Sequence, residues 1–389
     1  MEFFLLFGLA LIASAFMAWA IGAGSSGSTP FAPAVGANVI SIMRAALVVG
    51  ILGFAGASLQ GASVSEAVGS ELVLGITLPM SAVIVVLITA AGLMAIGLIT
   101  GYPIATAFTV TGVVIGSGLA LGGDPAWAKY TEIGTMWILT PFVGGGVAYA
   151  IARILPLEDV PERFSMPVLA GVIGAILVNV EFAVLAPGDE MASVVAVLTD
   201  AVGQVSWIAG AVFTLLGAGS VAIFVYLDVA RNHMQGVRRF LLFLGGLVAF
   251  SAGASQVGLA VGPLVPVIEE TRLTITVLVT GGGLGLLLGS WTGAPRMIKA
   301  IAQDYASLGP RRSIAALLPS FALAQVAVFF GIPISFNQIV VSAIVGAGAA
   351  VGGRSAISRR KITYTVVAWI VSLALSFAIG FGAVALITR

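Results

Sequence analysis

From Phe3 onward the chain is a succession of apolar stretches, each long enough to cross a bilayer, with little between them. A crossing helix needs about 20 mostly apolar residues. Such stretches occupy 3–22, 41–60, 73–99, 102–121, 133–153, 166–186, 203–228, 240–262, 273–292, 314–330, 333–352 and 362–387. Inside a bilayer every backbone N–H and C=O must find a partner within the protein, which leaves helices as the element for runs of this length. The expected fold is therefore an all-α polytopic membrane protein with about twelve crossing or re-entrant segments.

Composition agrees with this reading. Only 8% of residues are charged and 59% are apolar, against roughly 25% charged in a soluble domain, and the mean hydropathy is +1.14. Fifty glycines suit helices that approach closely in lipid. The chain has no cysteine, which excludes disulfides, thiolate metal sites and cysteine catalysis. A formal net charge of +1 gives no footprint for nucleic acid. The first apolar stretch follows Glu2 and lacks a basic leader, so it reads as a retained span.

The chain repeats itself. "TGYPIATAFTVTGVVIGSGLALGG" at 100–123 and "FGIPISFNQIVVSAIVGAGAAVGG" at 330–353 align without gaps and share nine of twenty-four positions, at an offset of 230. "MWILTP" at 136–141 faces "AWIVSL" at 368–373 at an offset of 232, and "IGAGS" at 21–25 faces "SAGAS" at 251–255 near 231. Three matches at nearly one offset divide the chain into a first repeat, 1–155, a connecting insert with two spans, 156–235, and a second repeat, 236–389.

Charge gives the direction of each repeat. The 296–312 loop carries Arg296, Lys299, Arg311 and Arg312, and the 354–361 loop carries Arg354, Arg359, Arg360 and Lys361. Both read as cytoplasmic, because Lys and Arg accumulate on that side. Their first-repeat counterparts are acidic: 61–72 has Glu66 and Glu71, and 124–132 has Asp124 and Glu132 against Lys129. The repeats are thus expected to be inverted, in a cell membrane, with both termini outside. In that architecture transport sites lie near the midplane, at broken helices.

"AWAIGAGSSGSTPFAPAVGANVIS" at 18–41 breaks an apolar run with glycines, hydroxyls and prolines, and "FSAGASQVGLAVGPLVP" at 250–266 occupies the same place in the second repeat. Paired interruptions of this kind point to a binding site. Backbone N–H groups at helix starts and hydroxyls suit a small anion. Candidate ligands are Gly24, Ser25, Ser26, Ser28 and Thr29 from the first break and Ser255 and Gln256 from the second. The two proline segments add Thr106, Ser335 and Asn337.

At these residues the sequence resembles the PiT-type inorganic phosphate transporters, including their sulfate-permease relatives. The resemblance matches the family's Gly-Ala-Asn-Asp-Val-Ala-Asn motifs to "IGAGSSGSTPFAPAVGAN" and "AGASQVGLAVGPL", and its Pro-Val-Ser-Thr-Thr-His segments to "PIATAF" and "PISFNQ". "GVVIGSGLALGG", "WILTP" and "GAPRMIKAIAQDYASLGPRRSIAALLPSF" are also similar, so the likeness runs over nearly the whole chain. It implies an inverted-repeat permease that moves phosphate with a coupling cation, sodium or protons.

The departures bear on both ions. The family's Asn-Asp falls at Gly24–Ser25 and Ser255–Gln256, its later Asn at Ser28 and Leu259, and a Glu of the following spans near Gly53 and Gln325. No carboxylate lies in the middle of a span, and Glu181 and Asp228 fall near the ends of insert spans. The usual carrier of a coupling ion, an embedded Asp or Glu, is missing, so the coupling ion stays open. Hydrogen phosphate keeps a proton that an acceptor must receive, whereas sulfate needs only donors. The resemblance places phosphate first; a sulfate permease and a passive oxyanion channel are the alternatives, and a homodimer stays open.

A membrane-embedded enzyme would need a nucleophile with its base, or a metal set, within the spans, and the residues for neither are in place. His233, the one histidine, falls in the basic "RNHMQGVRR" loop and reads as a solvated loop residue. "GGGLGLLLG" at 281–289 lies inside an apolar span and reads as helix packing, not a dinucleotide motif. Arg44 and Arg296 suit either anion guidance or positive-inside topology. No resident cofactor and no metal is expected.

Overall fold

The computed structural model describes residues 2–155, 161–186, 191–203, 207–268, 271, 273–352 and 355–388. Seventeen α-helices carry the fold among them. Helix α1 (Glu2–Ile21) loosens into a π turn at Gly22–Ser26, and after Pro30 comes the short α2 (Ala32–Gly36). Then follow α3 (Ile42–Gln60), α4 (Ala62–Ser70), α5 (Met80–Thr100), α6 (Thr106–Ala120) and α7 (Trp127–Ile154). The insert contributes α8 (Glu162–Asn179), α9 (Val194–Ala201) and α10 (Trp207–Arg231). The rest is α11 (His233–Val261), a 3₁₀ turn at Gly262–Leu264, α12 (Val265–Ile268), α13 (Ile275–Thr292), α14 (Ala294–Asp304), α15 (Pro310–Phe329), α16 (Phe336–Gly352) and α17 (Arg359–Ile387). Two-residue strands pair Val73–Leu74 with Asp124–Pro125, and Glu181–Phe182 with Ala192–Ser193.

Ten helical segments among the described residues are long and apolar enough to cross a membrane, and α6 and α16 are shorter apolar helices. These twelve segments match the expected stretches, with shifted ends. Helices α11 and α15 start earlier than expected, at His233 and Pro310, because charged residues are tolerated in a first turn that reaches water. Span α8 stops at Asn179, so Glu181 lies beyond the helix, in a strand. Asp228, near the end of α10, pairs with Arg239 at 2.8 Å.

Two segments read as loops are helical. Positions 62–70 form α4 and 294–304 form α14. In α14 the buried residues Ala294, Met297, Ile298 and Ile301 recur at helical spacing while Arg296 is exposed. That amphipathic period is masked by the segment's charge when it is judged by hydropathy alone. Arg354 lies outside the described residues.

Helices α11 and α15 are central, with 72% of their apolar windows buried, whereas α10 at 6% faces outward. Around this centre the contacts across the chain are reciprocal. Helix α7 lies along α16, and α17 lies along α6. The glycines at the crossings show how tight this is. A Cβ on Gly346 would stand 2.0 Å from the Gly145 carbonyl, and one on Gly116 would stand 2.3 Å from the Phe377 carbonyl. Likewise α1 packs on α13, and α11 on α3.

The helix starts are pinned in a similar way. At the start of α7, Lys129 pairs with Glu71 at 2.9 Å and Glu132 at 3.2 Å. At the start of α17, Lys361 pairs with Asp304 at 2.9 Å and donates to the Gly101 carbonyl at 3.0 Å. Gly101 and Gly331 end α5 and α15 in the left-handed region, at φ 72° and 60°. A residue with a Cβ would be strained there, and the turn directs the chain into the two proline segments.

Candidate functional site

The proline segments reach the centre as extended backbone, and their carbonyls need donors. The two carbonyls of Pro103–Ile104 receive an indole and an amide: Trp369 Nε1 donates to the Pro103 carbonyl at 2.8 Å, and Asn337 Nδ2 to that of Ile104 at 2.7 Å. Pro333–Ile334 is held by the same pair of groups. Trp137 Nε1 donates to the Pro333 carbonyl at 2.9 Å, and Gln256 Nε2 to that of Ile334 at 2.8 Å. Irregular backbone at membrane depth persists only when satisfied in this way. Helices α6 and α16 begin directly after these segments, at Thr106 and Phe336, so the positive ends of two helix dipoles face the same region.

Gln256 is the hub. Its Oε1 accepts from Ser25 Oγ at 3.2 Å and Thr106 Oγ1 at 2.7 Å, and its Nε2 also donates to Ser255 Oγ at 3.3 Å. Asn337 Nδ2 adds a bond to the Gly24 carbonyl at 3.1 Å. Six of the ten residues expected from the sequence, Gly24, Ser25, Thr106, Ser255, Gln256 and Asn337, therefore join one network, and every side chain in it is 0% exposed.

The other four differ in role. The hydroxyls of Ser28 and Thr29 each donate to the Ser25 carbonyl at 3.1 Å, where their backbone N–H groups also converge. They close the turn after the π segment. Ser26 Oγ and Ser335 Oγ, and also Asn337 Oδ1, are buried without a hydrogen-bond partner. Left unpaired, each such group costs about 1–3 kcal/mol.

Two expectations need correction. Ser255 and Gln256 do not lie in a broken segment. Helix α11 is continuous through Val261 and gives way only at Gly262–Pro263, where proline removes a donor. The Gly-rich stretch at 22–29 ends α1 and leads only into the five-residue α2, so at the cluster it presents carbonyls such as that of Gly24. The helix starts come from the proline segments.

Trp137 and Trp369 were not expected at the site. The signal was present: each is the second residue of the matched hexapeptides at 136–141 and 368–373. Phe108 stacks on Trp137 with ring centroids 3.9 Å apart, and Gln338 Nε2 donates to the Trp137 carbonyl at 2.7 Å. Beside the indoles a mostly apolar cavity of about 660 Å³ opens between α7, α16 and α17.

The positions where the resemblance implied Glu are filled differently. Gln325 donates to Ser251 Oγ at 2.6 Å, one turn before Ser255, and Gly53 faces the Ala249 carbonyl of α11. Arg44 and Arg296 are exposed and take no part in the network. His233 is not free in solvent: its Nε2 stands 2.5 Å from a Glu162 oxygen.

The hydrogen-bonded network is made of neutral groups, with hydroxyl donors, amide acceptors and two helix starts. Groups of this kind suit a small oxyanion, part of whose charge the two helix starts would neutralise without a counter-ion.

Known proteins are similar to this chain in sequence and fold. A sequence model described as the phosphate transporter family matches residues 21–380. A Thermococcus kodakarensis protein named "Putative phosphate permease" is 26% identical over 390 residues, covering 92% of this chain and 91% of its own length. The chloroplastic inorganic phosphate transporter 2-1 of Arabidopsis thaliana is 24% identical, over 92% of this chain and 68% of that one. A solved structure titled "The sodium-dependent phosphate transporter" superposes with a TM-score of 0.80 at 22% identity, covering 98% of each chain.

Proposed function

We propose, from the premise that this chain belongs to the phosphate transporter family, that it is a permease for inorganic phosphate. The cargo binds at the Ser25–Thr106–Gln256–Asn337 cluster, near the membrane midplane. Residues 1–155 and 236–389 act as inverted halves about that cluster, joined by the insert 156–235, in a cell membrane with both termini outside. The exchanged contacts, α7 with α16 and α17 with α6, support this arrangement. So do the matched indole and amide bonds on the two proline segments. Rocking of one half against the other then exposes the cluster to each side in turn.

One observation carries the substrate. Both N–H groups of Asn337 are engaged by carbonyls, of Gly24 and Ile104, which fixes the orientation of the amide. Its Oδ1 is left as a buried acceptor without a partner. Hydrogen phosphate has one O–H to donate and several oxygens to accept. That acceptor, together with the unpartnered hydroxyls of Ser26 and Ser335, matches that pattern, while the protons of Ser25 and Thr106 go to Gln256. Sulfate has no proton to give, and leaves Oδ1 unpaired. The lack of a carboxylate in the cluster is what favours sulfate as the second reading.

The test is uptake of labelled phosphate and labelled sulfate into proteoliposomes, with and without sodium or proton gradients. Phosphate uptake that excess sulfate does not inhibit is the expected result, and the gradients read the coupling ion directly. Sulfate uptake that phosphate does not inhibit overturns the acceptor argument. Equilibration without accumulation under every gradient overturns the carrier in favour of a passive channel.

A further inference from the structure

Away from the central cluster, the starts of three long helices meet: α8 at Glu162, α11 at His233 and α15 at Pro310. A cavity of about 630 Å³ lies among them, lined by Asn38, Glu162, His233, Arg238, Arg311 and Arg312. Each helix start presents N–H groups without intrahelical partners and a partial positive charge. Three arginines and one carboxylate line it, so the lining has an excess of two positive charges before His233 is counted. The Glu162 side chain is only 10% exposed, and its two oxygens engage His233 Nε2 and Arg311 Nε. Those partners are half exposed, at 53% and 52%, so water and solutes reach them.

The cavity is joined to the broken segment of the first half. Ser313, next to Arg312 on α15, donates from Oγ to the Pro33 carbonyl of α2 at 2.8 Å. Helix α2 follows the turn formed by Ser25–Thr29, and Asn38 lies just beyond its other end.

We infer that this cavity is a second oxyanion site, at the mouth of the path to the central cluster, and that Glu162 is an internal anion that a free oxyanion displaces. The inference rests on the transport reading for the identity of the cargo. A carboxylate and a phosphate or sulfate compete for the same groups, because guanidinium pairs with both in the same forked geometry. A dianion satisfies the excess charge, which one carboxylate does not. When it binds, Glu162 turns out to water, and α15 is then held at its first turn by the cargo.

The experiment is equilibrium binding of labelled inorganic phosphate to the full chain in nanodiscs of neutral lipid. Two binding components are expected. Glu162→Gln removes the competing charge and tightens one of them by roughly tenfold, the effect of one charge-assisted contact. Arg238→Gln, at an exposed position that bears little on folding, weakens the same component. Gln256→Leu removes the other and spares this one. A single component that neither Glu162→Gln nor Arg238→Gln changes overturns the inference. So does displacement of phosphate from this component by a small fraction of phosphatidylglycerol in the disc, which assigns the cavity to a lipid headgroup. Failure of the transport reading is seen separately: wild-type proteoliposomes then take up no oxyanion, while the mouth component still binds.

Discussion

Gln256→Leu tests the centre of the molecule most directly. The substitution keeps the side chain's bulk and its place on α11 while removing one acceptor and two donors. The Ile334 carbonyl, bonded at 2.8 Å in the native protein, loses Gln256 as its donor. It is buried, with Ile334 0% exposed, so water does not replace that donor. A buried carbonyl in that state costs about 1–3 kcal/mol. Ser25 and Thr106 lose their shared acceptor, but hydroxyls rotate, so each adds about 1 kcal/mol or less. Polar contacts between membrane helices average about 0.6 kcal/mol, which points to the low end of these ranges. The expected total is about 1–3 kcal/mol. The fold survives this, because α11 is anchored by apolar packing along its length. The assay pairs thermal unfolding in detergent with phosphate uptake. A melting point lowered by several degrees, with uptake lost in protein that is folded and inserted, is the expected outcome. Uptake at the wild-type rate with unchanged KM would refute the reasoning, since the hub would then be dispensable to the cargo.

Trp137→Phe and Trp369→Phe each remove one indole donor from a proline-segment carbonyl. Each is expected to cost about 1–2 kcal/mol and to lower kcat for uptake more than it raises KM, as steady-state uptake kinetics will show. Gly346→Ala puts a methyl 2.0 Å from the Gly145 carbonyl and forces α7 and α16 apart. The expected loss is at least 1–3 kcal/mol, the usual cost of overpacking, seen as a lower melting point. Gly219→Ala, where nothing stands within 4 Å, is the neutral control.

The spans were readable because hydropathy over about 20 residues is a property of the chain alone. The centre was readable for a related reason. In so apolar a chain, Ser25, Thr106, Gln256 and Asn337 are expensive to bury without use, and the breaks around them mark where backbone must be satisfied. Helices α4 and α14 were hidden because amphipathic segments average out in a hydropathy window. The continuity of α11 was hidden because the same glycines and serines that loosen α1 into a π turn stay helical when packed on every side; α11 from Ser251 to Val261 is buried throughout. The pairing of Glu162 with His233 joins residues 71 positions apart across two helix starts, and no local pattern announces it.

The exchange of partners between α6 and α17 also sets the order of events at the ribosome. Helix α6 has fifteen residues and measures about 22 Å, less than the roughly 30 Å of a hydrocarbon core. Its tight neighbour along Gly116 is α17, which begins only at Arg359. At about 5–20 residues per second, more than 230 residues separating the two helices take on the order of 10–50 s to synthesise. For that interval α6 is a short, glycine-notched helix without the surface it was shaped to meet. The packing of α6 is thus begun early and completed only when α17 enters the membrane.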